Sequence, residues 1–181
     1  MFIKSAAIAA ALTVLITATP AQQQPCSKSL GEAPALAGFR LGMSIEQTQT
    51  ALGSRYKIPK KKTGEGSFFQ NFEGEQPPAD LSGVHALFLR YFDFKLYQIE
   101  LFYEDAAKPN KLDELTQTLA TDLALPPAAW TVQRGKATMN CGDFFLTADT
   151  LLNPHVELTD DALSKAFQAK QDEAKKKNKK S

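Results

Sequence analysis

The chain has 181 residues, 43% of them hydrophobic and 23% charged, with a formal net charge of +1. That composition is ordinary for a globular protein and excludes disorder throughout. The near-neutral balance hides an asymmetry: Gln22 to Ala169 carries 14 Lys/Arg against 18 Asp/Glu, and Lys170 to Ser181 carries six Lys against two acids, so the body has no nucleic-acid footprint.

Residues 1–21 read as a signal peptide. Lys4 supplies the positive start, Ala6 to Ile16 the apolar stretch, and Thr19-Pro20-Ala21 the small residues of a cleavage site near Ala21–Gln22. The apolar run is too short for a permanent anchor. The expectation is a secreted or periplasmic chain of about 160 residues, enough for one domain with a core. Two cysteines in an exported chain, Cys26 and Cys141, are expected to form a disulfide worth about 4–5 kcal/mol in the chain-entropy model. The alternative is a nucleophilic Cys141, but no catalytic signature surrounds it.

Residues 22–37 are Gln-, Pro- and Ser-rich and read as an extended arm. The domain proper is expected over 38–169. Phe39 and Leu41 alternate as a short strand would. Ser44 and Gln47 form a capping box for a helix whose face is Ile45, Thr48, Ala51 and Leu52, and Gly53 ends it. After a basic loop carrying Lys60-Lys61-Lys62, Ser67 to Phe72 reads as a strand. Val84 to Phe92 and Leu96 to Tyr103 form a long aromatic hairpin, apolar on both faces and expected to be covered by helices on at least one. Asn110 is placed to cap a helix with a stripe of Leu112, Leu115, Leu119 and Leu123, stopped by Pro126-Pro127. Further strands fall at Trp130 to Gln133, Ala137 to Cys141, Asp143 to Ala148 and His155 to Leu158. Thr159 is read as the cap of a last helix that dissolves into a basic, disordered tail over 170–181.

The expected fold is therefore α+β, an antiparallel sheet with two or three helices packed on it. Glu46-Gln-Thr-Gln-Thr50 recurs as Glu114-Leu-Thr-Gln-Thr118, a hint of a duplicated helix-plus-strands unit.

Phe39-Arg-Leu-Gly-Met-Ser44, the acidic helix ending in Leu52-Gly53, and the turn Asp93-Phe94-Lys95-Leu96 resemble two kinds of exported domain. These are the SmpA/OmlA-type outer-membrane assembly proteins and the β-lactamase-inhibitor-like domains. In this chain Phe94 stands where the family pattern has a turn glycine. The resemblance implies a helix packed on an antiparallel sheet and a binding scaffold without catalysis. Those assembly proteins are typically lipid-anchored, whereas Gln23-Gln24-Pro25 before Cys26 lacks the residues expected before a lipidated cysteine.

No catalytic, cofactor-binding or metal residue is assigned. His155 and Glu157 share a strand face as two metal ligands could, with His85 a third only if the fold brings it near. No Gly-x-Ser-x-Gly elbow occurs, and the acids Glu100, Glu104, Asp143 and Asp149 are scattered. The candidate binding surface is the set Phe88, Phe92, Tyr97 and Tyr103 on the hairpin. The leading expectation is a non-enzymatic, exported binding or envelope-assembly module with an envelope protein as partner. The alternatives are a hydrolase with a site near His155 and nearby acids, and an envelope-surface binder making weak electrostatic contact through the basic tail.

Overall fold

The computed structural model describes residues 26–59, 63–104, 107–151 and 153–179. The segment read as a signal peptide, its expected cleavage site, the first residues of the arm and Lys60–Lys62 lie outside the described residues. The described residues form three α-helices, α1 (Ile45–Leu52), α2 (Leu112–Asp122) and α3 (Asp161–Asn178). Its strands are β1 (Gly66–Asn71), β2 (Val84–Phe92), β3 (Lys95–Tyr103), β4 (Trp130–Gln133), β5 (Lys136–Asn140), β6 (Phe144–Asp149) and β7 (His155–Asp160). All seven strands join one antiparallel sheet in the order β1-β2-β3-β7-β6-β5-β4. This is the α+β fold expected. A helix followed by a three-stranded meander occurs twice, as α1-β1-β2-β3 and α2-β4-β5-β6, and β7 lies between the halves.

Strand alternation sorts the side chains onto two faces. One face holds Leu87, Leu89, Ile99, Leu101, Val156, Leu158, Leu146, Ala148, Ala137 and Met139, all fully buried. Onto it pack α1 through Ile45 and Leu52 and α2 through Leu115 and Leu119, together with Leu36 and Phe39 before α1. The predicted capping box is present: Ser44 Oγ accepts from Gln47 N at 3.2 Å, and Gln47 Oε1 accepts from Ser44 N at 2.8 Å. The disulfide is formed as well, between Cys26 and Cys141. It holds the arm on the core, where Ala33 and Leu36 are buried, and Lys28 N donates to Cys141 O at 3.2 Å.

Four local expectations are corrected. Phe39 and Leu41 make no strand; the chain doubles back in an isolated Leu36–Phe39 bridge, with Ala37 and Gly38 both at positive φ. Lys111, not Asn110, precedes α2, and it provides no side-chain cap. Asp160, not Thr159, caps α3, its Oδ1 accepting from Leu163 N at 2.9 Å. The tail read as disordered from Lys170 is helical to Asn178. Its Lys, Gln, Ala and Glu are strong helix formers whatever their polarity. Lys165–Asp161 and Lys175–Asp172 pairs and lysines in the last turn favour the helix further.

Asp93 and Phe94 form the β2–β3 turn with φ of 50° and 60°, the left-handed pair of a type I′ turn in which glycine is favoured at the second position. Phe94 tolerates this because Gly64 lies beneath its ring. A Cβ at Gly64 would come within 2.8 Å of that ring, and Phe94 N donates to Gly64 O at 3.0 Å.

Candidate functional site

The second face of the sheet is not covered by α1 or α2. Among the described residues only α3 crosses it, and α3 has no buried residue. The helix is seated by Phe167, whose ring lies 5.7 Å from Phe92 and 5.4 Å from Tyr97, and by a Lys170–Glu65 ion pair. The rest of this face carries a row of ionisable side chains on four adjacent strands. Arg90 Nη2 on β2 lies 3.7 Å from Glu100 Oε1 on β3. Glu100 Oε2 lies 3.9 Å from His155 Nε2 on β7, and His155 Nδ1 lies 3.2 Å from Asp149 Oδ2 on β6. The first two steps are diagonal across the strand register, and the last joins directly opposed residues.

Glu100 sits directly opposite Glu157, a like-charge pair in the middle of the sheet. The fold holds each carboxylate separately. Glu157 accepts from Thr159 Oγ1 at 2.8 Å and Thr147 Oγ1 at 3.5 Å, and both threonines are buried. Glu100 accepts from Gln98 Nε2 at 2.8 Å. Burial, and then the Glu157 charge, raise the Glu100 carboxyl above its ordinary value, opposed by Arg90 and His155. The folded state therefore holds the Glu100 proton more tightly than the unfolded state. Stability is full below the unfolded value near 4.5 and falls as pH rises through the raised folded value. Glu100→Gln is expected to flatten that fall and to stabilise the protein at pH 7 by on the order of 1 kcal/mol. Urea midpoints from pH 4 to 8 check it; an unchanged slope would show that Glu100 titrates like an exposed acid.

Two clefts open at the ends of this row. One, of about 410 Å³, lies under α3 and is lined by Ser67, Phe88, Arg90, Tyr97, Phe167 and Gln171 among others. The other, of about 450 Å³, is lined by His85, Phe102, Asp149, Leu151, Asn153 and His155. A register shift in the β2–β3 pairing adjoins each: Tyr97 is the unpaired residue near the first and His85 near the second. Such irregularities re-aim side chains beside binding sites. No family model, curated protein or solved structure matches the chain.

The four hairpin aromatics do not form one surface. Phe88 is half-buried on the open face, edge-on to Phe69, which is 60% exposed. Phe92 is half-buried and Tyr97 is buried, both against Phe167 of α3. Tyr103 packs against the core, and burial with the Asp122 charge pushes its phenol up to about 12. Of the four candidate residues, Tyr103 therefore packs on the core side, and Tyr97 is covered by Phe167, which lies within the part of the last helix that the sequence already indicated.

The histidines are separated by Phe102. Its ring stacks on His155 at 4.4 Å and meets His85 edge-on at 6.2 Å. Among the described residues no group of three or more His, Cys, Asp or Glu is arranged to hold a metal ion. Glu157 bonds the threonines, and it is Asp149 that bonds His155. Phe69 was missed in the sequence as a surface residue. Its signal was the Phe68-Phe69 pair in an alternating strand, which must send one ring to each face.

Proposed function

We propose that this chain is a non-catalytic binding module of the extracytoplasmic envelope, and that its ligand lies across the open face of the sheet. The observation that carries the reading is the uncovered face itself, with exposed Phe69, half-buried Phe88 and Phe102, and the Arg90–Glu100–His155–Asp149 row between two clefts. Half-buried ionisable groups that the core does not need mark candidate functional surfaces. The Cys26–Cys141 disulfide supports an oxidising compartment, and no helix of the described residues is long and apolar enough to cross a membrane. The Gly42-Met43-Ser44 turn onto α1 and the β2–β3 hairpin support the likeness to exported assembly domains, and hence an envelope protein as partner. The lysines at the end of α3 add weak, salt-sensitive attraction to acidic headgroups.

The Asp149–His155 pair in a cleft is what favours the rival hydrolase reading. Against it, Nδ1 is taken by Asp149, and Nε2, buried and without a hydrogen-bond partner, faces the Glu100 carboxylate. A hydrolase needs its nucleophile at that place.

Site-specific photocrosslinking tests the reading in cells. A crosslinker at Phe69 is expected to capture a discrete partner, and one at Thr131, exposed on the β4 edge, is expected not to. Adding Phe88→Ala should weaken the Phe69 adduct about fivefold or more. Equal capture at both positions would sink the open-face reading.

A further inference from the structure

The cleft under α3 holds one cationic side chain that is not fully paired, Arg90. The Arg90 guanidinium lies 4.6 Å over the Phe88 ring, and its Nε is buried with no hydrogen-bond partner. Its contact with Glu100, at 3.7 Å, is longer than a hydrogen bond. The buried Nε is closed to solvent, so a ligand in the cleft meets the exposed part of the Arg90 side chain. Glu100 approaches Arg90 from β3, and the Arg90 side chain is 40% exposed and lines the cleft.

The cleft wall fits that chemistry. Phe88, Tyr97 and Phe167 supply aromatic surface, and Thr63, Ser67 and Gln171 supply neutral polar groups. The one acid among the lining residues, Glu65, is answered by Lys170 of α3. The unpaired Tyr97 is brought there by the register shift between Arg90 and Tyr91.

We propose that this cleft is a carboxylate-binding site, in which Arg90 takes the carboxylate of a ligand whose apolar body lies between Phe88, Tyr97 and Phe167. The inference rests on reading the open face as a binding surface, and it adds the ligand class. A guanidinium is suited to the task because its planar fork matches a carboxylate in two parallel hydrogen bonds. A neutral isostere of the ligand leaves the charge unanswered and binds less well.

Chemical-shift titration of the ¹⁵N-labelled protein tests it, followed at the Arg90 Nε–H and at Ser67 N–H. The probes are phenylacetate, phenylacetamide, and the peptide acetyl-Ala-Ala-Phe with a free or amidated terminus. Phenylacetate or the free-acid peptide, or both, is expected to bind with a Kd on the order of 1–10 mM, and both amides at least tenfold more weakly. Binding by the peptide identifies a chain terminus as occupant, and binding by phenylacetate alone identifies a free small acid. Arg90→Gln should weaken acid binding about tenfold or more. Gln171→Glu, a change at an exposed, cleft-lining position of α3 that leaves the sheet untouched, should weaken it about threefold. Acids and amides binding alike, neither acid binding, or Arg90→Gln binding as well as the native chain would overturn the proposal. The Phe69 crosslink, read separately, reports whether the open face binds a partner at all.

Discussion

Replacing Cys26 and Cys141 together by alanine is expected to lower stability by about 3–5 kcal/mol. The bridge spans a sequence separation of 115 residues, so in the chain-entropy model it removes a large share of the freedom of the unfolded chain. The folded state loses something too. Cys141 is fully buried at the end of β5, and Cys26 is 7% exposed; two small cavities replace a filled volume. The arm then depends on Lys28 N to Cys141 O and Leu30 N to Asp143 Oδ2 to stay in place. Guanidinium unfolding of the native and double-alanine chains measures the difference. Reductant should move the native chain to a similar midpoint and leave the variant unmoved. A loss below about 1 kcal/mol would mean that the arm docks through Ala33 and Leu36 alone.

How much of this was legible in the sequence depends on range. Alternating aromatics placed β2 and β3 almost to the residue, because a half-buried strand repeats every second position. The Ser44–Gln47 box placed the start of α1, because both partners lie within one turn. The failures are local competitions settled at a distance. Phe39 and Leu41 alternate like a strand, yet Phe39 is buried before α1 and its neighbours turn with positive φ. Thr159 looks like a cap, but its hydroxyl donates to Glu157 and the buried Asp160 takes the role. The charged row was not legible at all. Arg90, Glu100, Asp149 and His155 are brought together only by the register of four strands, two of which, β3 and β7, are joined across 51 residues of intervening chain. Acids that look scattered along a sequence become neighbours when a late strand inserts between two meanders.

That insertion gives the second large effect. Leu158→Ala on β7 is expected to cost about 2–5 kcal/mol and to lower cooperativity more than a core truncation in an outer strand. Leu158 is fully buried and stands between Ile99 of β3 and Leu146 of β6, so its side chain fills the seam where the two helix-plus-meander halves meet. Each half has its own helix and local hairpins, and β7 alone among the strands pairs with both. The other face of the same strand provides the control. His155→Gln removes the imidazole facing Glu100 and Asp149 but leaves the core layer whole, and it is expected to change stability by about 1 kcal/mol or less. Urea unfolding followed by far-ultraviolet dichroism and by Trp130 fluorescence separates the two. Trp130 lies on β4 at one edge of the sheet, so a loosened seam should split the fluorescence transition from the dichroism transition. Coincident transitions in Leu158→Ala would mean that the halves fold as one unit without the seam contact, leaving β7 to hold the row by backbone pairing alone.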